Sequence, residues 1–305
     1  MEEYIYQIRD YLPIKFMDEE ANEFLRYLEE SYLENIEKMK YQFSFTAFHM
    51  LYMTFIYKSK WFLKQQGNNE IEDSLSNFRQ QHNKNAYFNN LFDLSQLPEK
   101  FSLEKLLGSL RFHINDIGIC KNHVEVRNNC SHACGKIYYK KQSRIEMFIE
   151  EETEFVEKIQ NKIKPDLKNF LVDFLNDNWD KSFIIGDIEN WFVSNYLSKK
   201  DLEILIGFKL SLFNRKSDNS KNIFQKLLYL VFVYSAQKYA EIDKNIFLNK
   251  LPIFMVGLED EIKVTRDDEE RTISTQEIIE ENLIPIISDL SDEERGKAEI
   301  ILNLS

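Results

Sequence analysis

Residues 43–63 read FSFTAFHMLYMTFIYKSKWFL, a stretch whose aromatic and aliphatic side chains leave almost no polar face. A helix at a protein surface shows an apolar stripe and a charged flank, whereas a segment apolar nearly all round belongs inside. This stretch is therefore expected to be the central helix of a bundle, or to lie in a symmetric dimer interface. Its apolar run, Phe43–Tyr57, is interrupted by Ser44, Thr46, His49 and Thr54, and a second run, Leu227–Tyr234, is shorter still. Both fall short of the ~20 apolar residues that span a bilayer, so no membrane partner is expected. Upstream, Leu25, Leu28, Tyr32, Ile36 and Met39 form one stripe of an amphipathic helix over Glu19–Lys40. Only 8 Gly and 5 Pro in 305 residues are too few for a fold built on strands and tight turns. With 43% hydrophobic residues, including 24 Phe and 15 Tyr, the chain can fill a large core. An all-α fold follows.

Further along, residues 65–96 are polar and Asn-rich (Gln66-Gly67-Asn68-Asn69) and read as a loop with one short helix. Ser102 is placed to cap a helix running to about Ile117. A break is expected over Gly118–His123, with a new helix starting near His123 or Val124. Ile145, Phe148, Ile149, Phe155, Val156, Ile159 and Ile163 repeat at helical spacing up to Pro165, and Asp166–Leu175 continues the pattern. Asn176-Asp177-Asn178 is the candidate boundary between an N-terminal helical bundle, 1–176, and a mainly helical C-terminal region, 183–305. In that second region Asp187–Tyr196, Lys200–Phe213 and Asn222–Tyr239 read as helices. Residues 261–274 allow a small hairpin or an exposed acidic loop. Ser274-x-x-Glu277 and Ser291-x-x-Glu294 are capping-box patterns.

Charge is segregated. The chain carries a net −12, which repels nucleic acid at long range and demands a local basic patch for any such partner. Residues 121–144 supply one: Lys121, Arg127, Lys136, Lys140, Lys141 and Arg144 against a single Glu125, net +5. Residues 259–281 carry ten acids and three bases, net −7. Within the basic stretch lies Arg127-Asn128-Asn129-Cys130-Ser131-His132. On a helix, Arg127, Ser131, Gly135, Asn128 and His132 fall within about 140° of one another, one polar face with a glycine in it. A histidine can move a 2′-OH proton near neutral pH. An arginine can hold non-bridging phosphate oxygens. An asparagine can orient either group. Together these residues suit metal-free cleavage of RNA, with Lys121, Ser131, Lys136, Lys140, Lys141 and Arg144 as RNA contacts.

Arg127-Asn128-x-x-x-His132 resembles the R-N-x-x-x-H motif of the HEPN superfamily, carried on a helix of a helical bundle. The resemblance spans roughly residues 18–175 and extends to nothing in 183–305. It implies a metal-independent endoribonuclease without cofactor, of the kind found in antiphage and toxin–antitoxin systems. It also implies a homodimer with two motifs facing one cleft, and an antitoxin or defence-system protein as a further partner. Arg127 and His132 would be catalytic, with Asn128 beside them. Some members carry a glutamate and a lysine upstream of the arginine; here His123 and Glu125 stand near that place, so the substrate class stays open.

Other readings of the same residues compete. Cys120-x2-His123-x6-Cys130-x3-Cys134 contains every cysteine and could converge on a tetrahedral zinc in a regulatory domain. Buried free cysteines are the plainer account. Three cysteines make no disulfide framework, which points to a reducing, cytoplasmic setting. His49 is either a hydrogen-bonded core residue or a site member packed against the motif helix. Phe43, Phe45, Phe48, Tyr52 and Phe55 suit core or dimer packing. The acidic stretch is a solvated surface or a mimic of RNA laid over the basic cleft. A helical module that binds a partner without cutting anything is the rival function.

Overall fold

A computed structural model of the chain describes residues 1–305 apart from 83, 85, 132–136, 138, 180–184, 210–218, 256–260, 267–268, 275–276, 278–279, 281–282 and 303–305. For 219–220, 261–266 and 269–273 it describes the backbone alone. The fold is all-α with one small hairpin. Its elements are α1 (Glu2–Arg9), α2 (Glu19–Glu37), α3 (Tyr41–Gln65), α4 (Asn69–Gln81), a 3₁₀ turn (Phe92–Gln96), α5 (Glu99–Ser109), α6 (Ile114–Ser131) and α7 (Gln142–Asp177). After these come α8 (Ile185–Ser194), α9 (Lys199–Ile206), α10 (Asn219–Ala240), α11 (Asn245–Met255), β1 (Glu261–Arg266), β2 (Glu269–Ser274), α12 (Ile284–Ser288) and α13 (Asp292–Leu302). Among the described residues no helix is long and apolar enough to cross a membrane. Contacts divide the chain into two compact units, Met1–Leu167 with Val193–Asp201, and Lys168–Phe192 with Leu202–Ser305.

In the first unit α3 is the axis. Every residue from Leu51 to Leu63 is buried, and α3 touches α1, α2, α4, α5, α6 and the 3₁₀ turn. The apolar circumference of Leu51–Leu63 is thus consumed inside the chain, the central-helix placement expected of this stretch, while Phe43 and Met50 nearer the start of α3 stay exposed. Gly67, at φ +67, closes α3 in the left-handed conformation. Asn68 then opens α4 by accepting from the Ile71 N–H at 3.1 Å.

Two sequence boundaries need correction. Ser102 is not a cap: it is buried inside α5, which starts three residues earlier behind Pro98. Nor does the chain break at Gly118–His123, since α6 runs unbroken from Ile114 to Ser131. The break falls at Arg111, which takes φ +58. There the Phe112 N–H bonds to the Leu107 carbonyl and the Arg111 N–H to the Gly108 carbonyl, both at 3.0 Å, a Schellman closure made with arginine in place of the usual glycine. A glycine within a helix costs only about 1 kcal/mol against alanine, and burial of Ile117, Cys120, His123 and Val124 on both sides of Gly118 holds the turn. In α7 the helix likewise continues through Pro165. Ile159, Ile163, Leu167, Leu171 and Leu175 are all buried, so one apolar seam outlasts the proline, whose interior cost is roughly 3 kcal/mol.

In the second unit, residues 227–234 of α10 are all buried. Phe170 stacks on Trp191 at 4.9 Å and Phe192 meets Phe232 edge-on at 5.3 Å. Tyr229 donates its hydroxyl to the Ile206 carbonyl at 2.7 Å. The strands β1 and β2 form the antiparallel hairpin that the sequence allowed, from Glu261↔Ser274 to Arg266↔Glu269. The side chains of 261–273, with Asp267 and Asp268 between the strands, lie outside the described residues, and with them the reading of the acidic stretch as a mimic of RNA. Both capping patterns form: Ser274 Oγ accepts from the Glu277 N–H at 3.1 Å, and Glu294 accepts from the Ser291 N–H at 3.1 Å.

The segment Val193–Asp201 joins the first unit through a buried ion pair. Lys58 contacts Asp201 and donates to Ser198 Oγ at 2.8 Å and to the Tyr11 carbonyl at 3.0 Å. Asp201 also accepts from Gln160 Nε2 at 2.6 Å and from the Ser198 N–H at 2.8 Å. Burial pulls the Lys58 pKa down, and Asp201 opposes it. Removing one partner of such a pair strands the other charge, which costs about 3–5 kcal/mol. Lys58→Met should therefore lower the denaturation midpoint sharply, and Lys58→Met with Asp201→Leu should recover much of the loss. A single variant as stable as wild type would show that this network does not hold the segment.

Candidate functional site

The inner stripe of α6 carries Ile117, Cys120, His123, Val124, Arg127 and Cys130. All are buried except Arg127, whose side chain is 22% exposed. Two members of this apolar stripe are basic, and each has drawn a carboxylate from a neighbouring helix. Arg127 pairs through Nη2 with Glu99, the first residue of α5. Glu99 Oε2 lies 3.6 Å from Nε2 of His49 on α3. His49 Nδ1 is 2.5 Å from Oε1 of Glu152 on α7. The same Oε1 lies 3.7 Å from His123 Nδ1, and His123 Nε2 is 2.7 Å from Glu151 Oε2. Six groups, alternately basic and acidic, thus run from α6 through α5, α3 and α7 and back to α6 and α7. His49, His123 and Glu152 are wholly buried.

Burial favours the neutral form of each ionisable group. For His49 it works downward, but the Glu152 carboxylate, with Glu99 behind it, wins and lifts the imidazole to about 9. For Glu99 burial works upward, but the His49 and Arg127 cations beside it win and hold it at about 2. Its place in the first turn of α5 adds the favourable end of a helix dipole. At neutral pH the centre of this seam is therefore a charged imidazolium between two carboxylates. Arg127 faces a carboxylate that stays ionised.

Of the residues singled out in the sequence, the structure brings Arg127 into this cluster. It turns Arg127 inward, away from the polar face expected with Ser131, because Glu99 supplies a counter-charge in the interior. Asn128 is half-buried. Ser131 is exposed and donates Oγ to the Arg127 carbonyl at 3.0 Å. Lys121 is engaged by Glu104 at 2.7 Å. Lys140, Lys141 and Arg144 are exposed, Arg144 lying over the Phe148 ring at 5.5 Å. His132, Cys134 and Lys136 lie outside the described residues. His123 presents both ring nitrogens to carboxylates. Cys120 accepts from the Tyr52 hydroxyl at 3.6 Å. Cys130 stands ten residues further on, roughly 15 Å along the helix axis. Burial pushes both thiols up to about 12. The zinc arrangement is therefore not assembled among the described residues, where no three such ligands converge.

Glu99, Glu151 and Glu152 escaped the sequence reading. Glu151 and Glu152 sit in the run Glu150-Glu151-Glu152, which looks like an exposed acidic face. One residue of it is nonetheless fully buried, and only the helix phase set by Phe148, Ile149, Phe155 and Val156 hints at that. Glu99 follows Leu97-Pro98 at a helix start, where an acid is usual for its own sake. His49 was legible as a polar residue in an apolar helix; it is both a core residue and a member of the cluster.

These shifts set opposite flanks of pH dependence. Because the folded His49 value is raised, its stabilisation is complete below about 6.5 and is lost as pH climbs through about 9. The folded Glu99 value is lowered, so its share is complete above about 4.5 and is lost as pH falls toward 2. Melting temperature should therefore be highest between roughly pH 4.5 and 6.5 as far as these two groups decide it. The alkaline arm should amount to about 3 kcal/mol at 1.36 kcal/mol per pKa unit. His49→Gln should flatten that arm selectively; an unchanged pH 7–10 profile in the variant would refute the assignment.

No family model, curated protein or solved structure matches the chain.

Proposed function

We propose that the protein is a metal-independent endoribonuclease of the HEPN type, cutting RNA by attack of its own 2′-OH. The observation that carries the reading is Arg127 near the end of α6, the one partly exposed base of the seam. In the sequence it is followed by Asn128, Ser131 and His132, within a strongly basic stretch of an acidic chain. In this reading Arg127 holds the non-bridging oxygens and meets the charge that builds on them. His132 exchanges protons with the attacking 2′-oxygen and the leaving 5′-oxygen. Asn128 orients one or the other. The 2′-O–P bond forms as the P–5′-O bond breaks and the 5′-oxygen takes up a proton, leaving a 2′,3′-cyclic phosphate and a 5′-hydroxyl. Lys136, Lys140, Lys141 and Arg144 guide the backbone, with Lys121 competing between Glu104 and RNA. A homodimer, an antitoxin or defence-system partner, and a role in antiphage defence or growth arrest belong to the same proposal.

A second reading has its own support. Between α6 and α7 a groove exposes Ile114, Ile119 and Met147 around Gly118, and apolar surface of this kind suits a helical partner. There Arg127 would serve only to hold helices together.

The two readings separate in one experiment. Arg127→Ala and His132→Ala should each abolish RNA cleavage, or toxicity on expression, and cleavage by wild type should survive EDTA. His132→Ala should leave the melting temperature within a few degrees. Wild-type cutting by either variant would sink the ribonuclease; activity lost in chelator and restored by Zn²⁺ would point back to the cysteine and histidine cluster.

A further inference from the structure

We infer that Glu99, backed by His49, is the positioning residue for Arg127; the inference rests on the ribonuclease reading above. Three observations bear on it. Along the seam His49, Glu152 and His123 are sealed, whereas Glu99 and Arg127 are 24% and 22% exposed. The seam reaches the surface at both ends, at Glu151 (41% exposed) and at this pair, and of the two ends this one carries the partly exposed base. Second, Glu99 engages Arg127 at Nη2. A guanidinium has five donors in a rigid fork, so a carboxylate at one of its nitrogens fixes the plane and leaves other donors for a phosphate. Third, Glu99 does not stand alone. It is the first residue of α5 and forms an ion pair with His49 at 3.6 Å, and His49 is held by Glu152 at 2.5 Å. The arginine's orientation is therefore anchored to three helices besides its own.

An unsupported arginine would sample many rotamers, and a group displaced by about 1 Å from its working position can cost on the order of 10²-fold in rate. Glu99→Gln keeps the shape and one acceptor but releases the charge. His49→Gln leaves Glu99 in place but removes its hold. Both are expected to lower kcat by about 10- to 100-fold, with a smaller change in KM, since the lost interaction matters most where charge develops.

A merely structural role would also reduce activity, by lowering the folded fraction. The discriminating measurement is a cycle with Arg127→Lys, assayed at 20 °C below the melting transition of every variant. If Glu99 acts through the guanidinium, Glu99→Gln should change cleavage by less than about 2-fold in the Arg127→Lys background. Multiplying losses would overturn the inference, as would a Glu99→Gln enzyme with wild-type kcat. Affinity for a short 2′-O-methyl oligonucleotide, which cannot be cut, supplies the sign. Weaker binding by Glu99→Gln supports positioning; tighter binding would mean that Glu99 competes with phosphate, and would overturn it. If Arg127→Ala itself cuts like wild type, the ribonuclease reading and this inference fall together. If Arg127→Ala is dead and Glu99→Gln is normal, only the inference falls.

Discussion

The contact between His49 and Glu152, both without solvent exposure, is the constraint around which the helices of the first unit are arranged. A carboxylate cannot be buried alone, and an imidazolium cannot either. Once α3 carries a histidine on its buried surface and α7 carries a glutamate, each requires the other within hydrogen-bonding distance. That requirement fixes the axial register of α3 against α7, which apolar packing alone specifies loosely. Extra groups then join to balance what remains: Glu99 on the far nitrogen of His49, His123 beside Glu152, and finally Arg127 and Glu151 where the chain of charges reaches partly exposed positions. A slip of one helical turn in α3, α6 or α7 would leave at least one charge stranded. Hydrophobic contacts provide the bulk of the stability; the charges select one arrangement among the many that a core of phenylalanine and leucine would accept.

Most of the fold was legible because helices announce themselves locally. The all-round apolar character of 43–63, the stripe of α2 and the spacing along α7 led to the elements that are present. What misled was punctuation. Gly118 and Pro165 looked like stops, yet neither ends a helix, since each costs a few kcal/mol at most and sits in a segment with a continuous buried face. The true stop, Arg111, has no sequence signature, because a left-handed arginine is tolerated there only through the backbone bonds that Phe112 and Arg111 make to α5. Propensity is a local quantity, and these outcomes were decided by tertiary contacts.

The candidate site was half legible for a related reason. Arg127 and its neighbours form a contiguous motif. The groups that determine what Arg127 can do come from positions 28 residues before it, 78 before it and 25 after it, on three other helices. A lone glutamate after a proline and one glutamate in a run of three carry no mark of burial. His49 did carry one, a polar residue in an apolar helix, and it proved to be the centre of the seam. The polar face drawn for α6 by angle alone put Arg127 outward with Ser131, whereas the helix is turned so that arginine and His123 share the interior. A wheel shows which residues lie together but not which way the wheel faces.

A seam of this kind carries two consequences at once, and they pull in different directions. As a structural device it is expensive: two buried histidines and three carboxylates could be replaced by apolar residues of similar volume without loss of stability, and often with gain. The chain instead keeps a construction whose energy depends on pH and whose members are each intolerant of neutral substitution. Such a construction makes sense where a charged group must be held still at a surface, because an apolar core can fix a helix but cannot fix a guanidinium. An oriented, ionised carboxylate does that, and the His49 and Arg127 charges beside Glu99 keep it ionised down to about 2. The order of dependence therefore runs from Glu152 to His49 to Glu99 to Arg127, from the sealed interior to the one basic group with both an anchor and an opening. Under the ribonuclease proposal the same order has a consequence for the motif: an arginine at position 127 without the three groups behind it would have the right chemistry and no fixed place to exert it.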